Sequence, residues 1–103
     1  MTREEMELAT EIQKIKVLCD KAGFEIALVL DDYPIKMVIL YGLNPVVAFT
    51  YQNDSVSFEL RSSYVIPWNL FSKMQKAFRR ICLAKMILSF AEQHSLGAES
   101  EEE

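Results

Sequence analysis

Residues 46–60 read VVAFTYQNDSVSFEL, a sequence that predicts a β-hairpin. After the central Asn53-Asp54 pair, apolar and polar residues alternate, and the apolar members are Val56, Phe58 and Leu60. This period of two is typical of a strand with one buried face. Asparagine and aspartate both tolerate the positive φ angles of a two-residue type I′ turn. We therefore expect two antiparallel strands joined at Asn53-Asp54.

Two further strands are predicted upstream of this hairpin. Apolar residues recur at every second position from Phe24 to Leu30, and the segments 31–34 and 42–45 have turn composition. The strands are expected at residues 24–30, 35–41, 46–52 and 55–61. Short connections favour an antiparallel meander. Because the alternate positions of the first three strands are apolar as well, part of the second sheet face is expected to need a cover.

A helix is predicted on each side of the sheet segment. Thr2 and Glu5 have the spacing of a capping box, apolar residues then recur every three or four positions, and Gly23 is a natural end. Pro67 suits the first turn of the second helix, which runs without glycine or proline to about Gln93. The sequence does not indicate whether the helices lie on one face of the sheet or on both.

The chain is thus predicted to be a single α+β domain over residues 1–96 with the order α-β-β-β-β-α. Its 103 residues are 50% hydrophobic, which is enough for one core. Four of the last five residues are glutamates, so removing them changes the formal net charge from -4 to 0. Residues 97–103 are expected to form a disordered acidic tail.

Charge and cysteine use give expectations about environment. A neutral body argues against the general attraction to phosphate that dedicated nucleic-acid-binding proteins have. Cys19 and Cys82 lie in helical segments outside any CxxC pair, so we expect free buried thiols. The charged start of the chain is unlike a signal peptide, and no apolar run approaches the ~20 residues of a membrane span. A cytoplasmic location is expected.

No residue pattern predicts catalysis, a metal or a cofactor. The glycines are isolated, so neither a dinucleotide fingerprint nor a phosphate-binding loop can form. Asp31-Asp32 precedes a proline in a turn, and the single histidine, His94, has no cysteine or carboxylate partner at ligand spacing. We expect a protein that is not an enzyme and that takes no cofactor.

The last helix carries the candidate site on the side opposite its core stripe. At about 100° per residue, its first half presents a basic patch and its second half an apolar patch. The basic patch, a candidate contact for phosphate or an acidic partner, consists of Lys73, Lys76, Arg79 and Arg80. The apolar patch, a candidate interface with a partner or a second copy, consists of Leu83, Met86, Ile87 and Phe90. Packing of the first helix against the apolar patch is the structural alternative.

Trp68 stands where the chain leaves the sheet, after the apolar run from Tyr64 to Ile66 and Pro67. A lid over the end of the sheet is favoured over a binding hot spot, although tryptophan is enriched in both.

Three functional hypotheses follow. The preferred one is a small protein-binding protein that occludes a partner surface through the last helix and the edge of the fourth strand, as an inhibitor of a host protein encoded by a bacteriophage or mobile element. The second is a dimeric adaptor, since the helix-sheet-helix plan resembles secretion chaperones. The third is RNA or DNA binding by the basic patch. The element order resembles the double-stranded-RNA-binding domain in outline, but residues 67–70 (PWNL) replace its lysine cluster.

Overall fold

The computed structural model describes the backbone of residues 1–102 and the side chains of residues 1–94. It confirms the predicted α+β class and the α-β-β-β-β-α order. The elements are α1 (Arg3–Lys21), β1 (Glu25–Val29), β2 (Ile35–Tyr41), β3 (Asn44–Gln52), β4 (Ser55–Leu60) and α2 (Trp68–Glu102). The strands form one antiparallel sheet in the order β1-β2-β3-β4, so the predicted meander is confirmed and β1 and β4 are its edges.

The predicted capping box begins α1. The Glu5 backbone N–H donates to Thr2 Oγ1 at 3.2 Å, and the Thr2 backbone N–H donates to Glu5 Oε1 at 3.1 Å. These bonds satisfy donors that an open helix end leaves free. They also lower the pKa of the Glu5 carboxyl group, chiefly because it accepts the Thr2 backbone hydrogen bond. After α1, Gly23 adopts a φ of +83°, the left-handed conformation that commonly follows a helix end.

The predicted hairpin turn is also present. Asn53 and Asp54 have φ angles of 55° and 62°, as a type I′ turn requires. Two side-chain contacts stabilise it: the Asn53 N–H donates to the Tyr33 hydroxyl at 2.8 Å, and the Tyr51 hydroxyl donates to Asp54 Oδ1 at 3.1 Å. The β1–β2 turn and the β3–β4 turn therefore meet at one end of the sheet.

The second turn is shorter than predicted. The sequence indicated a turn over residues 42–45, but β3 begins at Asn44 and pairs with Tyr41. Ile39 is opposite Val47 and Leu40 is opposite Pro45, so Val46 is an extra residue in a β-bulge. Pro45 has no N–H to donate and is tolerated beside this irregularity. The bulge lets the consecutive residues Val46 and Val47 both be buried.

Both helices cover the same face of the sheet, which gives a two-layer domain. The buried sheet residues all lie on that face, and both helices add buried residues to the same cluster. Phe49 at its centre lies 5.4 Å from Phe71 and 5.9 Å from Phe78, between ring centroids. The fully buried large side chains are Ile15, Cys19, Met37, Ile39, Val46, Val47, Phe49, Met74, Phe78, Ile81 and Cys82.

The opposite sheet face has no cover among the described residues, contrary to expectation. Its central row, Ala27, Val38 and Ala48, consists of small or β-branched residues that remain partly or fully exposed. Val29 and Leu40 also lie on this face, but Glu25, Lys36, Thr50 and Ser57 are interspersed with them, so polar side chains interrupt the exposed apolar area. The acidic tail, residues 97–103, lies beyond the described side chains, and its predicted disorder stays a prediction.

Candidate binding surfaces

The two helices lie side by side and run in opposite directions. Arg3 and Met6 at the start of α1 lie with Ile87 along one groove, whereas Leu18 near its end lies with Lys73 along another. A salt bridge joins the helices midway, with Arg80 Nε 3.2 Å from Glu11 Oε2. Because α1 begins opposite Ile87, the turns of α2 that follow Ile87 extend beyond the N-terminus of α1.

The apolar patch on α2 is not covered by α1. Leu83, Met86, Ile87 and Phe90 expose 44%, 46%, 54% and 63% of their surface. The alternative was that the first helix packs over these residues. α1 approaches only one side of the apolar patch, the side formed by Leu83 and Ile87. Phe90 additionally contacts His94, with ring centroids 4.1 Å apart.

An open groove of about 620 Å³ separates that side of the apolar patch from α1. Its apolar floor includes Met6 on α1 and Leu83 and Ile87 on α2, and charged side chains of both signs border it. The groove extends the apolar patch from α2 toward α1. Together they form an apolar surface with a polar rim, which is typical of a protein interface.

The predicted basic patch is divided by the structure. Lys73, Lys76 and Arg80 line a groove of about 260 Å³ together with Lys14 from α1, which sequence reasoning did not include. We call these four residues the basic groove. Arg79 lies on the other side of α2, where it lines a cleft with Asp54, Ser55 and Val56 beside the β3–β4 turn.

A second apolar surface lies at the free edge of β4. Phe58, Leu60 and Trp68 expose 50%, 66% and 73% of their surface, and we call them the β4 patch. Trp68 stacks on Phe71 at 5.8 Å, and Phe58 meets the same ring edge-on at 4.9 Å. Trp68 was predicted to form a lid over the end of the sheet, but nearly three quarters of its surface is exposed and its ring stacks on Phe71 of α2 instead.

Tyr64, not Trp68, closes that end of the sheet. It stacks on Tyr41 at 4.9 Å and meets Phe24 edge-on at 5.6 Å. The predicted meander made β4 an edge strand and its edge a candidate contact, but the alternation placed Phe58 and Leu60 on a buried face, so the β4 patch itself was missed. The signal that could have found it is the alternation Val56, Phe58, Leu60 followed closely by a tryptophan.

Both cysteines are free and buried, as predicted. Burial raises the pKa of the Cys82 thiol to about 12. Burial, and secondarily the nearby Asp20 carboxylate, raises the pKa of Cys19 to about 11. Both thiols are protonated at neutral pH and are therefore poor nucleophiles.

The described residues contain no group of three or more histidines, cysteines or carboxylates that could hold a metal ion. Asp31 is fully exposed and lies 3.6 Å from Lys85 Nζ, so it forms a surface ion pair at the turn. Among the same residues, no helix is both long and apolar enough to cross a membrane.

Comparisons with known proteins do not assign this chain to a family. A scan of protein-family models, a search of curated proteins and a search of solved structures each found no match to this chain.

Proposed function

We propose that this chain is a small, non-catalytic protein-binding protein that associates as a homodimer through α2 and acts by covering a surface of a partner protein. Its small size, its neutral body and its two exposed apolar surfaces favour an inhibitor of the kind that bacteriophages and mobile elements direct at host proteins. A dimeric adaptor would use the same surfaces.

The spacing of the apolar patch is the observation that carries the dimer. Leu83, Met86, Ile87 and Phe90 are symmetric about the midpoint between Met86 and Ile87. When two copies of α2 pack antiparallel about that midpoint, Leu83 faces the second copy's Phe90 and Met86 faces its Ile87. Each apolar side chain thus meets an apolar side chain, as a two-fold symmetric interface requires.

The exposed area indicates a weak dimer. At roughly 200 Å² for a large side chain, the half-exposed patch offers roughly 400 Å² per copy, about half of a standard interface. Met6 and the adjoining groove must contribute the remainder. We therefore expect a dissociation constant of about micromolar or weaker.

Sedimentation velocity over protein concentrations from about 1 µM to about 1 mM tests this proposal. The wild type is expected to convert from monomer to dimer across the range. The double variant Leu83→Glu/Phe90→Glu places glutamates opposite each other at both symmetric contacts and is expected to remain monomeric.

A matched variant tests the antiparallel register. Leu83→Lys/Phe90→Glu places lysine opposite glutamate at both contacts, so it is expected to associate more strongly than the glutamate pair. Val17→Glu, on the exposed side of α1, is expected to leave association unchanged. A wild type that is monomeric at every concentration would sink the dimer, and equal behaviour of the two double variants would sink the register.

A second candidate function is nucleic-acid binding. The specific observation that favours it is the basic groove, because Lys14, Lys73, Lys76 and Arg80 come from two helices yet line one groove. Glu11 pairs with both Arg80 and Lys14, so among the described residues Lys73 and Lys76 are the groove cations that make no ion pair. Four cations on a neutral body are few for a dedicated phosphate-binding surface, so this candidate ranks second.

A further inference from the structure

We propose that the free edge of β4 binds an extended segment of the partner protein as a fifth strand of the sheet, with its apolar side chains on the β4 patch and acidic residues at its ends. This inference rests on the proposed partner binding, and its choice of a foreign segment over a second copy rests on the α2 dimer.

The hairpin register shows which backbone groups are free. Gln52 and Ser55 flank the two-residue turn and form the first hydrogen-bonded pair, so bonded pairs recur at every second residue. Arg61 follows this pattern, since its N–H donates to the Val46 carbonyl oxygen at 2.8 Å. The N–H and C=O groups of Val56, Phe58 and Leu60 therefore point away from β3, toward the open edge.

The same three residues carry the apolar side chains of β4. Phe58 is opposite Phe49, on the face that the helices cover, yet α2 leaves half of its ring exposed. Trp68, which stacks on the buried ring of Phe71, extends this surface beyond the strand. An added strand would place alternate side chains on this surface while its backbone bonds the edge, which is how sheet edges bind extended peptides.

The edge has few of the features that usually protect edge strands, and Glu59 is its one charged residue. β4 contains no proline and no lysine, and its pairing with β3 has no bulge. At the other edge, α1 packs on β1, and the inward side chains Ile26 and Leu28 are partly buried against the core. Both edges have free backbone groups, but β4 is the edge whose inward apolar side chains are also exposed.

The charges around β4 indicate acidic ends for the bound segment. Lys76 and Arg79 line the cleft of about 390 Å³ beside Val56, and neither makes an ion pair among the described residues. Asp54 lines the same cleft but accepts a hydrogen bond from the Tyr51 hydroxyl, so the two cations outnumber it. Arg61 lies past the other end of the strand, half-exposed and 3.6 Å from Glu59. A carboxylate at the Val56 end of an incoming strand would meet the two unpaired cations, and one at the other end would share Arg61 with Glu59.

A foreign segment fits this edge better than a second copy. If β4 paired with the β4 of another molecule while α2 also formed a two-fold interface, the two contacts would join molecules into an open chain or a larger closed assembly and would leave neither surface for a partner protein. A dimer that binds a partner protein must leave one of the two surfaces, the α2 interface or the β4 edge, to that partner.

The test uses two fluorescein-labelled peptides, each a core of alternating valine and threonine, with aspartates at both ends in one and lysines at both ends in the other. Fluorescence anisotropy with the full chain is expected to show at least tenfold tighter binding of the aspartate peptide. Hydrogen exchange of the backbone amides of Val56, Phe58 and Leu60 is expected to slow when this peptide is bound, because they become donors to it.

Two substitutions of one residue separate backbone pairing from apolar contact. Leu60→Thr removes the leucine side chain but keeps the backbone N–H at the open edge. Leu60→Pro removes the leucine side chain and that N–H, and no hydrogen bond to β3 is lost because the N–H of residue 60 points away from β3. Leu60→Pro is expected to weaken binding at least tenfold more than Leu60→Thr. Circular dichroism must show that both variants remain folded; the same comparison at Val56 replaces it if Leu60→Pro unfolds.

The outcomes are distinguishable from those of the dimer test. No binding of either peptide at about 1 mM, equal effects of the two variants, or protection at amides outside β4 would overturn strand addition and leave the α2 dimer standing. Polymers that Leu60→Pro converts to dimers would show that the edge binds a second copy. A wild-type dimer that Leu60→Pro dissociates would overturn both proposals.

Discussion

At the scale of single residues, the two cysteines have the most clearly perturbed chemistry. Cys19 and Cys82 are fully buried on facing helices, and their thiols titrate far above neutral pH. We expect neither thiol to react with a disulfide reagent at pH 8 while the protein is folded. Both should react at once after unfolding in guanidinium chloride, and a fast reaction of the native protein would contradict the buried positions.

The raised thiol pKa values also give a pH dependence of stability. From the ordinary value of 9.0, the pKa rises in the folded state to about 11 for Cys19 and about 12 for Cys82. The unfolded chain loses these protons first, so the free energy of unfolding falls above pH 9, by up to about 1.4 kcal/mol per pH unit for each thiol. Urea titrations at rising pH should show a shallower fall for Cys19→Ala/Cys82→Ala.

At the scale of elements, the capping box allows a test with an internal control. Thr2→Ala removes the acceptor for the Glu5 N–H and is expected to destabilise the protein by about 1 kcal/mol. For a domain of this size, the melting temperature would fall by about 5 °C. Thermal unfolding followed by circular dichroism measures it.

Thr10→Ala is the matched control within the same helix. The Thr10 hydroxyl donates to the Met6 carbonyl oxygen at 2.8 Å, in the helix interior, where alanine has the higher helix propensity. The same substitution is therefore expected to leave the melting temperature unchanged or to raise it. A fall as large as that of Thr2→Ala would show that the cap is not the cause.

The elements differ in how far the sequence could predict them. The capping box and the Asn53-Asp54 turn depend on residues that are near one another in the chain, so their chemistry can be read locally. The Val46 bulge depends on how Leu40 pairs with Pro45 across a turn, which the period of two cannot reveal. The predicted turn over residues 42–45 was too long for that reason.

At the scale of the whole molecule, the placement of the helices was the main unpredictable feature. The first three strands have apolar residues on both faces, so hydrophobic pattern alone could not choose the covered face. The apolar patch on α2 could be located because a helical face follows from spacing alone. The β4 patch could not, because the exposure of Trp68 and Phe58 depends on where α2 starts over the sheet, which the hydrophobic spacing does not state.

The charge distribution of the whole molecule gives the last prediction, which concerns nucleic acid. The body is neutral without its final glutamates, and the basic groove offers four cations. Fluorescence anisotropy with labelled double-stranded RNA and DNA is expected to show binding only at low salt. With about three or four phosphate contacts, the affinity should fall roughly as the third power of salt concentration.

Two charge-reversed variants distinguish nucleic-acid binding in the basic groove from nonspecific attraction to cations. Lys73→Glu/Lys76→Glu changes the groove and keeps the Arg80–Glu11 salt bridge, whereas Lys16→Glu/Lys21→Glu makes the same change in net charge on exposed parts of α1 outside the groove. Equal losses would mean nonspecific attraction to a cationic surface. Binding that persists at physiological salt and is lost only in the groove variant would instead favour nucleic acid over a protein partner, because only a built phosphate site distinguishes cations by position.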